Sequence, residues 1–192
     1  LIIWKGDKLE KLSLNNEQSA KEAIKSIENS DLEVVKNEEK KEFRNPRAPF
    51  TTSTLQQEAS RKLSFSASRT MRAAQKLYEG LNIGSEVTGL ITYMRTDSVQ
   101  LSKDSITDLR KMITNEYGDS YCPEKLKIYK SKVANAQEAH EAIRPTDVKR
   151  MPKTVKAYLD DDCYKLYDLI WKRTVSSQMA VSYTHLRAHE TS

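Results

Sequence analysis

Apolar positions recur at helical spacing along much of the chain. Ala20, Ala23, Ile24 and Ile27 form a stripe over residues 17–28, with Asn15 or Asn16 placed to cap it. A second helix is predicted to begin at Thr52 or Ser53, as its cap, and to end near Leu63. Ser66 caps a third over 67–79, with Met71, Ala74, Leu77 and Tyr78 turned inward and Gly80 closing it. Ser102 caps a fourth over 103–117, and Gly118 lies just past its end. Ile106, Leu109, Ile113 and Tyr117 make its stripe, with Met112 packing beside them. Pro152 suits the first turn of another helix. Residues 160–162 lead into the longest helix, 163–179, whose buried stripe is Leu166, Tyr167, Ile170, Trp171 and Val175.

Strand patterns are shorter. Residues 1–14 open on Leu-Ile-Ile-Trp, turn at Gly6-Asp7, and predict two strands joined as a hairpin. Residues 32–35 predict a strand, and the charge run 37–44 a solvated face or edge strand. Two prolines hold 45–49 extended as a linker. The apolar run 87–94 predicts one short strand inside the helical part, delivering Tyr93. Residues 119–133 predict a loop with a short helix, with Tyr121 and Tyr129 as surface or packing residues. Residues 136–143 predict a short helix stopped by Pro145, placing His140 and Arg144 four apart on one face. The fold class is mainly α (α+β).

Composition narrows the class without deciding it. The 192 residues suffice for one domain or a domain plus part of another. The net charge of +5 is mildly basic and suits a polyanionic partner. Arg61, Lys62, Arg69, Arg72 and Lys76 are either solvated surface or phosphate contacts. Cys122 and Cys163 lack metal-type spacing and are expected as reduced thiols of a cytosolic protein. No apolar run reaches transmembrane length, so no membrane partner is expected. The chain begins at Leu1 and is read as a fragment.

The chemistry concentrates in 89–98, Gly-Leu-Ile-Thr-Tyr-Met-Arg-Thr-Asp-Ser. A phenol two residues before a guanidinium suits phosphoryl transfer. The phenolic oxygen can attack phosphorus, and the guanidinium can hold the non-bridging oxygens as charge builds. The residues alone equally allow a strand ending in a polar turn with Tyr93 half buried.

Residues 89–98 resemble the active-site segment of type IA DNA topoisomerases. Two further blocks agree in order: 49–60, PFTTSTLQQEAS, and 135–146, NAQEAHEAIRPT. The resemblance runs over about 45–180 and is nearer the bacterial topoisomerase I branch, since Met94 follows the tyrosine. It implies relaxation of DNA by single-strand cleavage through a 5′-phosphotyrosyl intermediate, strand passage and religation, without ATP. Tyr93 would be the nucleophile, Arg95 would contact the scissile phosphate, and His140 would hydrogen-bond the phosphate near the cut. Arg144 and Asp97 match the motifs as further DNA contacts.

The resemblance also implies an Mg²⁺-dependent full-length enzyme acting on single-stranded or negatively supercoiled DNA. Its acidic Mg²⁺ ligands and general acid would lie in a separate N-terminal domain, so this chain alone is expected to cleave little or nothing. Residues 52–180 would be a helical, winged-helix-like tyrosine domain, and 1–51 part of a β-rich arch. Residues 181–192 are expected to be a non-native tail resembling a translated adaptor, so His185, His189 and Glu190 are not taken as a metal site. The implied location is the cytoplasm, with the nucleoid. The main alternative is a non-catalytic winged-helix-like DNA-binding module. A tyrosine recombinase fits less well, because its tyrosine lies near the C-terminal end.

Overall fold

The computed structural model describes residues 2–4, 7–10, 13–29, 40–130, 140–180 and 182–186. The chain divides into two compact units, Leu1–Phe43 with Tyr183–Ser192, and Arg44–Ser182. In the first, β1 (Ile2–Trp4) and β2 (Asp7–Leu9) pair antiparallel, Ile2 opposite Leu9, as the expected hairpin. Helix α1 (Glu17–Glu28) starts where the Asn16 side chain accepts the Ser19 N–H at 2.7 Å. Only Ala23 of its apolar stripe is buried, while Ile24 and Ile27 stay exposed. The charge run does end in a strand, β3 (Lys40–Arg44), which pairs with β6 (Ser182–Leu186). The strand expected at 32–35 lies outside the described residues.

The second unit is built on helices α2 (Thr52–Leu63), α3 (Ala67–Glu79), α4 (Lys103–Tyr117), the short α5 (Pro152–Val155) and α6 (Asp161–Gln178). Helix α6 is the hub and packs against all four others. Its Leu166, Tyr167 and Ile170 are fully buried, with Leu55, Leu77, Ile113 and Phe50 in the same core. Each aliphatic side chain of this size contributes about 1.5–3 kcal/mol when taken out of water. The Tyr167 hydroxyl donates to the Arg150 carbonyl at 2.7 Å and the Trp171 indole to the Val148 carbonyl at 2.9 Å, so neither ring carries an unmet donor into the core.

Capping explains the helix starts. Ser66, Ser102 and Asp160 each accept a backbone N–H three residues on. The α2 cap is Thr51, one residue earlier than expected, in a reciprocal pair with Thr54. Thr52 is free for another task, taken up below. Three of the five basic side chains singled out on α2 and α3 form ion pairs, while Arg61 and Arg72 are exposed. Arg69 holds Asp162 through two bonds of 2.8 and 2.6 Å, Lys76 holds Asp160 at 2.9 Å, and Lys62 holds Glu58 at 2.9 Å. Two of these pairs pin α3 to the start of α6, which the phosphate-contact reading of the same residues had not anticipated.

Two local expectations are corrected. Residues 87–94 are not one strand. An antiparallel hairpin, β4 (Leu81–Ile83) and β5 (Glu86–Thr88), comes first, and the chain then runs on irregularly with a single bridge from Ile91 to Pro145. The helix expected over 136–143 is absent where the structure describes it. Residues 136–139 lie outside the described residues, and 140–143 are extended. Pro145 biases the residue before it away from helix, and donors that a helix would use internally reach across to other segments: Ala142 N–H to the Gln100 carbonyl at 2.8 Å and Ile143 N–H to the Phe50 carbonyl at 2.9 Å.

Candidate active site around Tyr93

Three segments distant in sequence are laced together by backbone and threonine hydrogen bonds. The Thr52 hydroxyl donates to the Met94 carbonyl at 2.7 Å, and the Thr96 N–H returns a bond to that hydroxyl at 2.9 Å. The Thr92 hydroxyl donates to the Ala142 carbonyl at 2.7 Å and accepts the Arg144 N–H at 3.0 Å. Thr92 N–H donates to the Arg144 carbonyl, and Thr146 N–H to the Leu90 carbonyl. The start of α2, the stretch 89–98 and the stretch 140–146 thus share one bonded framework, which leaves little freedom for what it carries.

Exposure along that framework alternates. Met94, Thr96 and Ser98 are buried, while Tyr93, Arg95 and Asp97 face outward. A period of two is what an extended chain against a core imposes. The motif therefore sorts itself, with hydroxyls and Met94 holding the backbone and the phenol, guanidinium and carboxylate presented to solvent.

Tyr93 is 38% exposed, and its ring contacts two others. His140 lies with its ring centroid 5.7 Å away at a 45° tilt, and Tyr78 meets it edge-on at 5.3 Å and 63°. Arg95 and Asp97 form no hydrogen bond or ion pair with any described residue, so Arg95 keeps its whole donor fork for an incoming anion.

Arg144 differs. Its Nε and one terminal nitrogen grip Glu141 at 2.9 and 2.6 Å, the other terminal nitrogen donates to the Pro145 carbonyl, and the side chain is 16% exposed. It does not share a helix face with His140. Its guanidinium is already engaged, and the arrangement suits a residue that fixes the segment bearing His140. Glu141 also accepts the Ser102 N–H at 2.7 Å, tying that segment to the start of α4. Burial works to raise the Glu141 pKa, but the Ser102 and Arg144 donors outweigh it and hold the carboxyl below its ordinary value.

Of the expected site residues, the structure thus brings Tyr93 and His140 together, leaves Arg95 and Asp97 outward on the same stretch, and commits Arg144 internally. Sequence reasoning missed Tyr78, assigned inward on α3, and the two framework threonines, Thr52 and Thr92. Periodicity carries no signal for contacts made after an intervening hairpin. Among the described residues no group of three His, Cys, Asp or Glu side chains could hold a metal ion, and no helix is long and apolar enough to cross a membrane.

A mainly helical unit presenting an outward tyrosine with an arginine two residues on, braced by a histidine from a second segment, defines a candidate for covalent chemistry on an anionic backbone. A family profile described as DNA topoisomerase aligns with residues 3–189. The chain belongs to the DNA topoisomerase family, in its bacterial type IA group. It is 58% identical over 172 residues to DNA topoisomerase 1 of Rickettsia felis, covering 90% of this chain and 22% of that protein. It is 48% identical over 185 residues to DNA topoisomerase 1 of Xylella fastidiosa, covering 93% of this chain and again 22% of the relative. The solved structure of full-length topoisomerase I from Thermotoga maritima matches with a TM-score of 0.72 at 42% identity, over 84% of this chain and 26% of that one. The chain therefore spans about a fifth of these relatives' length and about a quarter of the solved chain.

Proposed function

We propose that this chain is the tyrosine-bearing part of a type IA DNA topoisomerase that relaxes DNA without ATP. The observation that carries the reading is Tyr93, an outward phenol braced by two rings, with the unengaged Arg95 two residues on. The Tyr93 oxygen attacks a backbone phosphorus, its phenol proton passes to solvent, the bond to the 3′ oxygen breaks, and a 5′-phosphotyrosyl ester and a free 3′-hydroxyl result. The proton for the leaving oxygen comes from a group outside this chain. The ester conserves the energy of the broken linkage, so reversal reseals the strand. Arg95 steadies the charge on the non-bridging oxygens. His140 donates to a phosphate beside the cut, more strongly when protonated. Asp97 orients Arg95 or the DNA, and Arg144 acts on DNA through the segment it fixes.

In this reading, residues 52–180 are the winged-helix-like tyrosine domain and residues 1–51 contribute to the arch that strand passage opens. Mg²⁺ would be supplied by the rest of the enzyme. The described residues here offer it no ligand group, and no step above passes through it. The chain alone binds DNA weakly and cleaves it little. The whole enzyme works in the cytoplasm on nucleoid DNA.

Covalent trapping tests this. The chain replaces its counterpart in the Rickettsia felis enzyme, which is mixed with Mg²⁺ and single-stranded DNA labelled at the 3′ end or, in a parallel reaction, at the 5′ end, and then denatured. An adduct on the 5′ phosphate that vanishes in Tyr93→Phe is the expected result. An adduct on the 3′ phosphate, or none with DNA binding intact, overturns it, the second outcome leaving a DNA-binding module.

A further inference from the structure

We infer that Tyr78 is a positioning residue that holds the Tyr93 ring for attack. The inference rests on the covalent reading of Tyr93 and adds a residue to it.

Tyr78 lies in the last turn of α3 and is 41% exposed, so it is not there to fill the core. Its ring meets Tyr93 edge to face at 5.3 Å, the geometry in which one ring's positive edge meets the other's negative face. The backbones of the two residues are registered to each other. Leu90 N–H donates to the Leu77 carbonyl at 2.7 Å. At Gly89 the fit is so close that a Cβ would stand 2.5 Å from the Tyr78 carbonyl oxygen. The end of α3 is thus clamped to the stretch that delivers Tyr93, and the ring–ring geometry follows from the clamp.

The Tyr93 hydroxyl has no hydrogen-bond partner among the described residues. A surface tyrosine without such a tether is free to change rotamer, and a nucleophile that must wait for the right rotamer reacts more slowly. Contact with the Tyr78 ring at 5.3 Å and the His140 ring at 5.7 Å restricts that rotor. His140 has a second task at the phosphate. Tyr78 has none, and its hydroxyl too has no partner among the described residues, so the ring alone does the positioning.

The test uses the Rickettsia felis chimera above, with Tyr78→Phe, Tyr78→Leu and Tyr78→Met, and Tyr93→Phe as baseline. Single-turnover adduct formation, dissociation constants for single-stranded DNA and melting temperatures are measured together. Tyr78→Phe should match the parent. The two aliphatic variants should lose roughly three- to tenfold in cleavage rate, the size of effect an edge-on ring pair can exert, with DNA affinity unchanged within about twofold and the pH dependence of cleavage unmoved. A merely structural role would lower melting temperature and affinity with the rate. Cleavage within twofold of the parent in either folded aliphatic variant overturns the proposal, as does a Phe variant as slow as Leu. A parent that binds DNA yet forms no adduct overturns the covalent reading instead, so the two failures are distinguishable.

Discussion

The Tyr93 and His140 rings stand with centroids 5.7 Å apart although they come from separate segments of the chain. Besides the ring contact, the Thr92 hydroxyl joins their backbones, bonding the Ala142 carbonyl and the Arg144 N–H on the segment that carries His140. Tyr93 and His140 are therefore placed by residues immediately beside them. Loss of chemistry should separate from loss of binding at this site. In the Rickettsia felis chimera, Arg95→Ala should slow adduct formation by about 10²–10³-fold, since donors aimed at developing charge are typically worth that much. Single-stranded DNA binding should persist, carried by the remaining backbone contacts. Gel-shift titration beside denaturing gels of the adduct checks both halves. A fall in affinity as large as the fall in rate would make Arg95 a binding residue only.

Gly89 tolerates no side chain. Its Cβ would meet the Tyr78 carbonyl, a backbone atom that cannot swing aside as a side-chain tip could. Gly89→Ala should destabilise the chain by roughly 1–3 kcal/mol, the usual range for overpacking, and should slow cleavage by shifting Tyr93 as well. Urea denaturation measures the first and the trapping assay the second. A variant as stable as the parent would mean that α3 and the 89–98 stretch slide apart at little cost.

Ser64 closes α2 with φ of 57°, the one described non-glycine residue in the left-handed region. It is exposed, so little packing is lost with its side chain. Glycine adopts this conformation without the steric penalty. Ser64→Gly is expected to stabilise by about 1 kcal/mol, read as a rise in the urea midpoint with an unchanged slope.

What the sequence made legible was what repeats or caps. Ser66, Ser102, Asp160, Gly80 and Gly118 mark helix ends because their side chains, or lack of one, answer a local backbone need. The α6 stripe of Leu166, Tyr167, Ile170, Trp171 and Val175 is buried as its spacing implies. The site was legible as residue types but not as geometry. His140 and Arg144 are four apart, a helical spacing, yet their segment is extended because its donors are taken by Phe50 and Gln100 carbonyls far away in sequence. No local pattern encodes a partner that distant. Tyr78 was read inward because i, i+3 and i+4 spacing cannot tell a core face from a face that abuts an active-site ring.

The two thiols should differ sharply. Burial, with Asp160 adding to it, pushes Cys163 up to about 12, whereas Cys122 is only partly covered. The thiolate is the reactive form. At pH 8 an alkylating reagent should label Cys122 in the folded chain and reach Cys163 only on unfolding, which peptide mass spectrometry with and without urea resolves. Equal labelling under native conditions would show that the start of α6 opens readily.

Acid should loosen the segment that carries His140 through Glu141. The carboxyl accepts from Ser102 N–H and from the Arg144 fork, and its folded pKa lies below its ordinary value of 4.5. A depressed carboxyl pKa contributes stability above the unfolded value, and that contribution is lost as pH falls through the folded one. The gap between the parent and Glu141→Gln should therefore be constant near neutrality and shrink below about pH 4. At pH 7 the variant leaves Arg144, 16% exposed, without its charged acceptor. The expected cost is about 1.5–3 kcal/mol, the range for hydrogen bonds to charged groups. Arg144→Gln should cost a similar amount, and the double variant less than the sum of the two singles, because both remove one interaction. Urea unfolding at pH 7 and pH 3 gives all these differences. Full additivity, or a gap that does not change with pH, would mean that Glu141 and Arg144 act separately and that the His140 segment is held by its backbone bonds alone.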